Sequence, residues 1–297
     1  MIDERHELVV CVSGGKDSSA LALWLAYESG LKNPMHLLFC DTGHENPITV
    51  DHVFALANRI GKPLNVASCG MSFIELCEKK QRFPSTRARF CTEELKVKPT
   101  AEWIADAVGN GLISGIPVVV QGIRSDESLS RSQLVEWQDE NKGYGPGRHR
   151  SAYDCPIWRP ILSWTVQKVF DCHKRHSFET NPLYRLGVKR VGCWPCIHSG
   201  KADLRAAFEA DPGLLDRIRQ YEERVSNAAK RGASSFFASN KTPACFHDKV
   251  FVNENGQEWT YASIDAVYRW AMGDENQGGL FDEIEPPQCF SQYGLCE

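Results

Sequence analysis

Short apolar runs alternate with longer amphipathic stretches in the first half of the chain. The apolar runs cover residues 8–12, 35–40, 63–67 and 116–120, while helical spacing covers residues 19–26 and 47–60. Apolar runs of this length between amphipathic helices are typical of parallel strands in a sheet that is covered on both faces. The pattern therefore predicts an α/β fold with a doubly wound parallel sheet. Such sheets bind ligands at the carboxyl ends of their strands.

The alternation of apolar runs and amphipathic stretches is less regular in the second half of the chain. Residues 164–175 have helical spacing, and residues 201–231 form a charged amphipathic helical region that Asp211-Pro212-Gly213 interrupts. Residues 141–150 combine glycine, proline and basic residues, which is typical of a loop. From about residue 233 we expect an irregular tail. The sequence thus predicts one domain over residues 1–200 and a smaller region over 201–297, mainly helical and irregular, that contains further cysteines.

Composition narrows the classes of function. Of the 297 residues, 42% are hydrophobic and 24% are charged, a balance that is ordinary for a globular protein. The formal net charge of −4 argues against a generally basic surface for nucleic acid, although it allows local basic clusters. The first seven residues are too charged for a signal peptide, and no apolar run approaches membrane-spanning length. We therefore expect a cytoplasmic protein that has no membrane partner.

A glycine-rich hexapeptide lies between the first predicted strand and the first predicted helix. It consists of Ser13, Gly14, Gly15, Lys16, Asp17 and Ser18. Glycines let backbone N–H groups approach a polyanion, and a helix start adds partial positive charge. Lys16 is suited to neutralise phosphate oxygens, and Asp17 is suited to orient Mg²⁺ or its waters. The spacing is too short for a Walker loop. The alternative is a glycine-rich turn that binds no ligand.

This hexapeptide, the phosphate loop, resembles the SGGxDS loop of the PP-loop ATP pyrophosphatases. Four later segments extend the resemblance toward the sulfonucleotide reductases of the same superfamily, at residues 40–45, 121–128, 160–165 and 181–196. The resemblance implies an adenine nucleotide alpha hydrolase-like fold and residues 1–200 as the nucleotide-binding domain. It implies an enzyme that cleaves ATP to AMP and pyrophosphate with Mg²⁺.

The same resemblance assigns site residues. ATP is expected to contact the whole phosphate loop together with Asp41, Gly43, Gly122 and Arg124. Lys16, Asp17 and Arg124 are expected to be catalytic, since cleavage of ATP depends mainly on positioning and on charge stabilisation.

Cysteine content indicates metal or redox chemistry. Twelve cysteines in a reducing compartment are better explained in this way than by a disulfide framework. Residues 89–96 resemble the R-C-C-x-x-x-x-K element that related reductases combine with a later C-x2-C pair to hold a [4Fe–4S] cluster. Phe90 replaces the first cysteine of that element, so the resemblance implies Cys91, Cys193 and Cys196 as ligands. We assign Cys289 as the fourth, and zinc or no metal is the alternative.

Basic residues surround the predicted ligand Cys91. They are Arg82, Arg87, Arg89, Lys96 and Lys98, to which Arg124, Arg131, Arg148 and Arg150 add further positive charge. A solvated surface and a site for a phosphate-rich substrate such as DNA or tRNA are equally good interpretations of this set.

Two chemical classes compete for the function. One is sulfur transfer driven by ATP, as in the DNA phosphorothioation ATP pyrophosphatases of the DndC/SspD type or in tRNA thiolation enzymes. The other is a phosphoadenylyl- or adenylyl-sulfate reductase, and a regulatory module without chemistry is a third. The intact phosphate loop favours sulfur transfer, because reductases bind a nucleotide that is already activated. In addition, Tyr293 stands where reductases carry their nucleophilic cysteine.

We therefore expect an ATP pyrophosphatase that adenylates a substrate oxygen for sulfur transfer, in nucleic-acid modification such as DNA phosphorothioation. The expected partners are a sulfur donor such as a cysteine desulfurase, the phosphate-rich substrate, and a second copy of the chain in a homodimer.

Overall fold

A six-stranded sheet forms the centre of the molecule. The structure is a computed structural model that describes residues 2–139, 155–252 and 255–273. The strands are β1 (His6–Cys11), β2 (Met35–Cys40), β3 (Leu64–Ala67), β4 (Ile116–Gln121), β5 (Trp137–Gln138) and β6 (Ile157–Trp158). Their order is β3-β2-β1-β4-β6-β5, and every pair is parallel except β5 with β6. The four long predicted strands and the doubly wound α/β fold are confirmed.

Helices cover both faces of this sheet. In chain order they are α1 (Lys16–Tyr27), α2 (Pro47–Ile60), α3 (Phe73–Lys80), α4 (Phe90–Thr92), α5 (Lys98–Gly109), α6 (Leu129–Ser132) and α7 (Val166–Arg175), with a π-helical turn over Glu93–Val97 before α5. Alternate residues of β1 face opposite sides, as strand geometry requires. Val10 packs with α1, α2 and α7, whereas Val9 packs with α5. Both faces are therefore buried.

Helix α7 begins two residues later than the spacing of 164–175 predicts. Thr165 is its N-cap, and its hydroxyl accepts a hydrogen bond from the N–H of Lys168 at 3.2 Å. An N-cap residue has extended dihedral angles, so the helix begins at the following residue.

The C-terminal part contains more regular structure than the sequence pattern predicts. Helices α8 (Lys201–Ala210) and α9 (Leu214–Ala228) lie on either side of the predicted interruption. Over residues 249–252 and 258–272, the expectation of an irregular tail from residue 233 is wrong. An antiparallel hairpin of β7 (Lys249–Val252) and β8 (Glu258–Tyr261) precedes helix α10 (Ile264–Met272). The β-branched and aromatic residues of both strands were the missed signal.

A further hydrophobic core joins this C-terminal part to residues 1–200. Its buried side chains include Phe73 and Leu95 from the first part and Phe236 and Trp270 from the second. The core thus crosses position 200, and the division of the chain into two domains there stays a prediction. Within the described ranges, none of the helices has both the length and the apolar character needed to cross a membrane.

Gly122, directly after β4, is in close contact with the start of α1. A Cβ atom at this position would lie 2.7 Å from Cα and 2.9 Å from the backbone nitrogen of Ser18. Because those atoms belong to the backbone, they cannot rotate away. We expect Gly122→Ala to lower the free energy of unfolding by about 1–3 kcal/mol in urea denaturation.

Gly109 provides the matched control, since a Cβ there would meet nothing within 4 Å. Gly109→Ala should leave the free energy of unfolding within about 0.5 kcal/mol of the wild type or raise it slightly. Equal stability of the two variants would show that the approach of Gly122 to Ser18 is not a tight constraint.

Candidate functional site

The candidate site lies at the carboxyl ends of β1, β2 and β4. The phosphate loop follows β1, residues 41–45 follow β2, and residues 122–124 follow β4. Since parallel strands end at the same edge of the sheet, these three segments come together there.

Gly14 and two serines fix the conformation of the phosphate loop. Gly14 has a φ of +80°, and a Cβ there would lie 2.6 Å from Cγ2 of Thr49. The Ser18 hydroxyl oxygen accepts a hydrogen bond from the N–H of Ser13 at 3.2 Å and lies 3.1 Å from the Ser13 hydroxyl. It also donates to the carbonyl of Gly15 at 3.2 Å. The glycine and the serines therefore hold the turn in shape from within.

Residues far along the chain support the loop from outside. The Asn181 amide donates to the carbonyl of Gly14 at 3.2 Å, and the Tyr184 hydroxyl accepts from the N–H of Lys16 at 3.0 Å. Nε2 of His173 lies 2.8 Å from the carbonyl oxygen of Lys16. Asn181 and Tyr184 belong to a segment that carries the resemblance, but no role was predicted for either of them. His173 had no recognisable signal.

A buried ion cluster lies beside the loop. Asp17 is fully buried, and its two carboxylate oxygens accept from Nζ of Lys16 at 2.6 Å and from Nε of Arg124 at 2.5 Å. Burial alone would lower the pKa of Arg124, but the charge of Asp17 and the hydrogen bond to it outweigh burial and raise that pKa. All three predicted catalytic residues are thus in contact, and Asp17 aligns the two cations. That Asp17 orients Mg²⁺ stays a prediction.

A cavity opens beside the loop at the ends of β1 and β2. The lining residues are Cys11, Val12, Ser13, Leu38, Phe39, Cys40, Glu45, Lys96 and Gly192. Of the residues expected to contact the nucleotide, Ser13 is among these lining residues, whereas the rest of the phosphate loop, Asp41, Gly43, Gly122 and Arg124 are not. Instead, the Asp41 carboxylate accepts from the N–H of Gly43 at 2.8 Å in a tight turn. We refer to this space as the nucleotide cavity.

Glu45 joins the nucleotide cavity to the C-x2-C segment. Its carboxylate accepts from the hydroxyl of Thr42 at 2.6 Å and from the N–H of His44 at 3.2 Å. Burial raises the pKa of Glu45, while the charge of Lys96 opposes that rise. The backbone at Glu45 forms a β-bridge with Cys193, and the N–H of Trp194 donates to the carbonyl of His44 at 2.7 Å. No local sequence pattern predicts that Glu45 or Lys96 links the two segments.

Three of the four predicted metal ligands face a second cavity, which we call the cysteine cavity. Cys91, Cys193 and Cys196 line it together with Thr42, His44, Phe73, Arg89, Thr92, Leu95, Lys96, Pro195, Ile197 and His198. Cys289 lies outside the described residues. Lys96 lines both cavities, so the two spaces adjoin.

The lining of the cysteine cavity favours an anionic occupant. Arg89 and Lys96 supply positive charge, and the described lining residues include no carboxylate. Thiolates bound to iron or zinc carry negative charge, which nearby cations stabilise. The thiol donors and the positive charge around them therefore fit a thiolate-bound cluster, although in the described residues the sulfur atoms of Cys91, Cys193 and Cys196 do not all lie within 4.8 Å of one another.

Elsewhere, Glu28, Cys172 and His176 bring possible metal ligands within 4.8 Å of one another. The Glu28 carboxylate already pairs with His176 at 2.6 Å and with Arg175 at 3.0 Å. The group lies at the far end of α1 from the phosphate loop, and these ion pairs account for its geometry.

Comparison with known proteins agrees with the class that the fold and the loop define, a nucleotide-binding protein of the PP-loop superfamily. The model of the phosphoadenosine phosphosulfate reductase domain matches residues 7–199. This chain belongs to that family. A 37.8 kDa protein of Escherichia phage 186 is 34% identical to it over 97% of this chain and 96% of its own length. The predicted superfamily is confirmed, and the closer resemblance to DNA phosphorothioation enzymes stays a prediction.

Several enzymes are among the more distant relatives. Sulfate adenylyltransferase subunit 2 of Streptomyces lavendulae is 28% identical over 64% of this chain and 61% of its own length. Adenosine 5'-phosphosulfate reductase of Staphylococcus saprophyticus is 30% identical over 39% of this chain and 41% of its own length. A crystal structure of phosphoadenylyl-sulfate reductase from Candida auris superposes with a TM-score of 0.46 at 20% identity, covering 64% of this chain and 82% of that chain.

Because of this ion cluster, we expect Asp17→Asn to destabilise the folded protein strongly. The amide keeps the size of Asp17 but removes the charge that compensates Lys16 and Arg124. Breaking a buried ion pair by neutralising one partner costs about 3–5 kcal/mol. We therefore expect Asp17→Asn to lower the free energy of unfolding, measured by urea denaturation, by that amount.

Asp126→Asn is the matched control. Asp126 also pairs with Arg124, but half of its side chain is exposed to solvent. The free energy of unfolding of this variant should fall by less than about 1 kcal/mol, because solvent-exposed ion pairs contribute little to stability. Similar losses in both variants would contradict the special role of Asp17.

Proposed function

We propose that this protein is an ATP pyrophosphatase that adenylates a substrate oxygen for sulfur transfer, in nucleic-acid sulfur modification such as DNA phosphorothioation. The observation that carries the proposal is the shared wall of the two cavities. Lys96 lines both the nucleotide cavity beside the phosphate loop and the cysteine cavity. Activation by ATP and handling of sulfur would then take place on adjoining surfaces.

The loop geometry supports cleavage between the α and β phosphates. Lys16 and Arg124 are held by Asp17 beside the start of α1, where backbone dipoles add positive charge. An oxygen of the acceptor attacks the α-phosphorus, the bond to the bridging oxygen breaks, and pyrophosphate leaves with the electron pair. Cations fixed in advance stabilise this charge without reorganising during the reaction.

The second step replaces the activated oxygen by sulfur. A sulfur nucleophile attacks the adenylated acceptor atom, and AMP leaves with the former acceptor oxygen. A cysteine desulfurase is a suitable donor of this sulfur. The basic residues Arg82, Arg87 and Arg89 support an acceptor rich in phosphate, such as DNA or tRNA. A homodimer stays part of the proposal as an untested expectation.

The cysteine cavity supports a [4Fe–4S] cluster as the bound cofactor. Cys91, Cys193 and Cys196 would hold three irons, and Cys289 stays our proposal for the fourth position. Thiolates are soft ligands that suit such clusters. If Cys289 does not complete the cluster, the iron without a cysteine ligand would supply a site with affinity for sulfur. Zinc stays the alternative metal.

A reductase is the second candidate function. It is favoured by the segments at 121–128, 160–165 and 181–196, and by the similarity to adenosine 5'-phosphosulfate reductases. Such an enzyme would release sulfite from a sulfonucleotide and would not need ATP.

The products formed from ATP test the proposed activity. We expect α- and γ-labelled ATP to give AMP and pyrophosphate in the presence of Mg²⁺ and duplex DNA. Lys16→Ala should reduce the rate by about a hundredfold or more, because a charge aimed at the leaving group is lost. Lys62→Ala, at an exposed lysine after α2, is the control and should match the wild type.

Two outcomes would count against this activity. Release of ADP and phosphate would contradict cleavage between the α and β phosphates. Robust sulfite release from adenosine 5'-phosphosulfate, with a thiol reductant and without ATP, would favour the reductase instead.

Metal content tests the cysteine cavity. Anaerobically purified protein should contain iron and absorb broadly near ~400 nm, where thiolate-to-iron charge transfer falls. Changing Cys91, Cys193 or Cys196 to serine should remove both signals. Cys69→Ser is the control, since Cys69 lies outside the cavity lining. Colourless wild-type protein with tightly bound zinc would eliminate the iron–sulfur cluster.

A further inference from the structure

The β7–β8 hairpin is an exposed element that the proposed chemistry has not used. It lies outside the range that the family model matches, and it forms a two-stranded sheet of its own. Three of the four residues in each strand are exposed, and the exposed fraction of Trp259 is 50%. Contiguous exposed apolar surface of this kind marks a site of interaction.

The register of the hairpin gives its two faces different chemistry. Side chains alternate between the faces along each strand, and directly opposed residues share a face. One face carries aromatic and cationic side chains: Lys249 opposite Tyr261, and Phe251 opposite Trp259. We call it the aromatic face. The only carboxylate among the eight strand residues is that of Glu258, which lies opposite Val252 on the other face.

Contacts on the aromatic face hold Trp259 in place. The rings of Phe251 and Trp259 are stacked, with 5.9 Å between their centroids and an angle of 20° between their planes. The guanidinium carbon of Arg231, which follows α9, lies 5.8 Å from the centroid of Phe251, within the range of a cation–π interaction. A planar ligand that stacks on Trp259 therefore meets a ring whose side-chain freedom is already restricted.

Positive charge accompanies these rings. Lys230, Arg231 and Lys249 are all exposed to solvent. Asp248 precedes Lys249, but its carboxylate already accepts hydrogen bonds from the N–H of Ser263 at 2.8 Å and from its hydroxyl at 2.6 Å. An exposed aromatic ring flanked by cations is the combination that binds single-stranded nucleic acids, because bases stack on the ring and phosphates pair with the cations.

We propose that the aromatic face, together with Arg231, is a docking surface for unpaired nucleotides, in which a base stacks on Trp259 and phosphates lie against Arg231 and Lys249. This inference rests on the proposed function in that a nucleic acid is the substrate, whereas binding itself requires neither ATP nor metal. A purely apolar protein partner would leave the cations unused. A regular duplex offers no base face for stacking, so the bound nucleotides are unpaired.

Binding of a fluorescein-labelled single strand of about a dozen thymidylates to the full-length protein, followed by fluorescence anisotropy without ATP, tests the stacking. We expect Trp259→Ala to weaken binding about tenfold or more, because the ring on which a base stacks is lost. Trp259→Phe should recover most of the affinity, since a phenyl ring also stacks. Phe54→Ala, at an exposed aromatic residue of α2, is the control and should bind as the wild type does.

The salt dependence of the same binding tests the charges. The logarithm of the wild-type affinity should fall linearly with the logarithm of the salt concentration between about 50 and 200 mM. Arg231→Gln should reduce the slope by about 0.7, the value for one phosphate contact on a single strand. Lys62→Gln, at an exposed lysine after α2, should leave the slope unchanged, as should Trp259→Ala.

Three results would overturn the inference. One is wild-type affinity in Trp259→Ala, and another is binding by Trp259→Phe that is as weak as that of Trp259→Ala. The third is a protein that binds no oligonucleotide but forms a dimer in sedimentation experiments that Trp259→Ala dissociates, because the surface would then belong to a second copy of the chain.

Failure of the proposed function gives a different result. Oligonucleotide binding that depends on Trp259, in a protein that forms no AMP and pyrophosphate, would contradict the ATP chemistry and support the docking surface. Formation of both products together with oligonucleotide binding that is unaffected by Trp259→Ala would do the reverse.

Discussion

The buried carboxylate of Asp17 is the interaction on which the arrangement of the site depends. It lies in the first turn of α1 and pairs with Lys16 and with Arg124, which follows β4. One fully buried anion therefore connects the loop after β1 to the loop after β4. Because a buried charge requires its partners, both cations are held in place before any ligand arrives. The close approach of Gly122 to Ser18 makes this connection sterically possible.

A second connection links the phosphate loop to the cysteines. Glu45 organises the turn after β2, while its backbone pairs with that of Cys193. Lys96, from the π-helical turn before α5, lies between the two cavities and acts electrostatically on Glu45. A displacement of the loop after β2 would therefore move the C-x2-C segment as well. This mechanical link is the physical basis for treating the two cavities as one site.

Whether the sequence predicts a structural feature depends on how far apart along the chain the residues that form it lie. The phosphate loop and the first four strands are marked by local sequence pattern, and that pattern predicts both. Tyr184 and Asn181 act on residues that lie 168 and 167 positions away, so local pattern carries no sign of their roles. The hairpin at 249–261 was missed although its strands have typical β-residues. Its strands are only four residues long and mostly exposed, so the three consecutive apolar residues of β7 were too short a run to mark a strand.

The C-terminal part lies beyond the range that the family model matches. The family model ends at residue 199, whereas the similarity to the phage 186 protein covers 97% of the chain. Residues of α9 and α10 share a hydrophobic core with α3 and with Leu95 of the turn before α5. Lys96 is the next residue, and it lines both cavities. Substitutions that repack this core would therefore change the position of the lysine between the two cavities, without altering the other residues that line them.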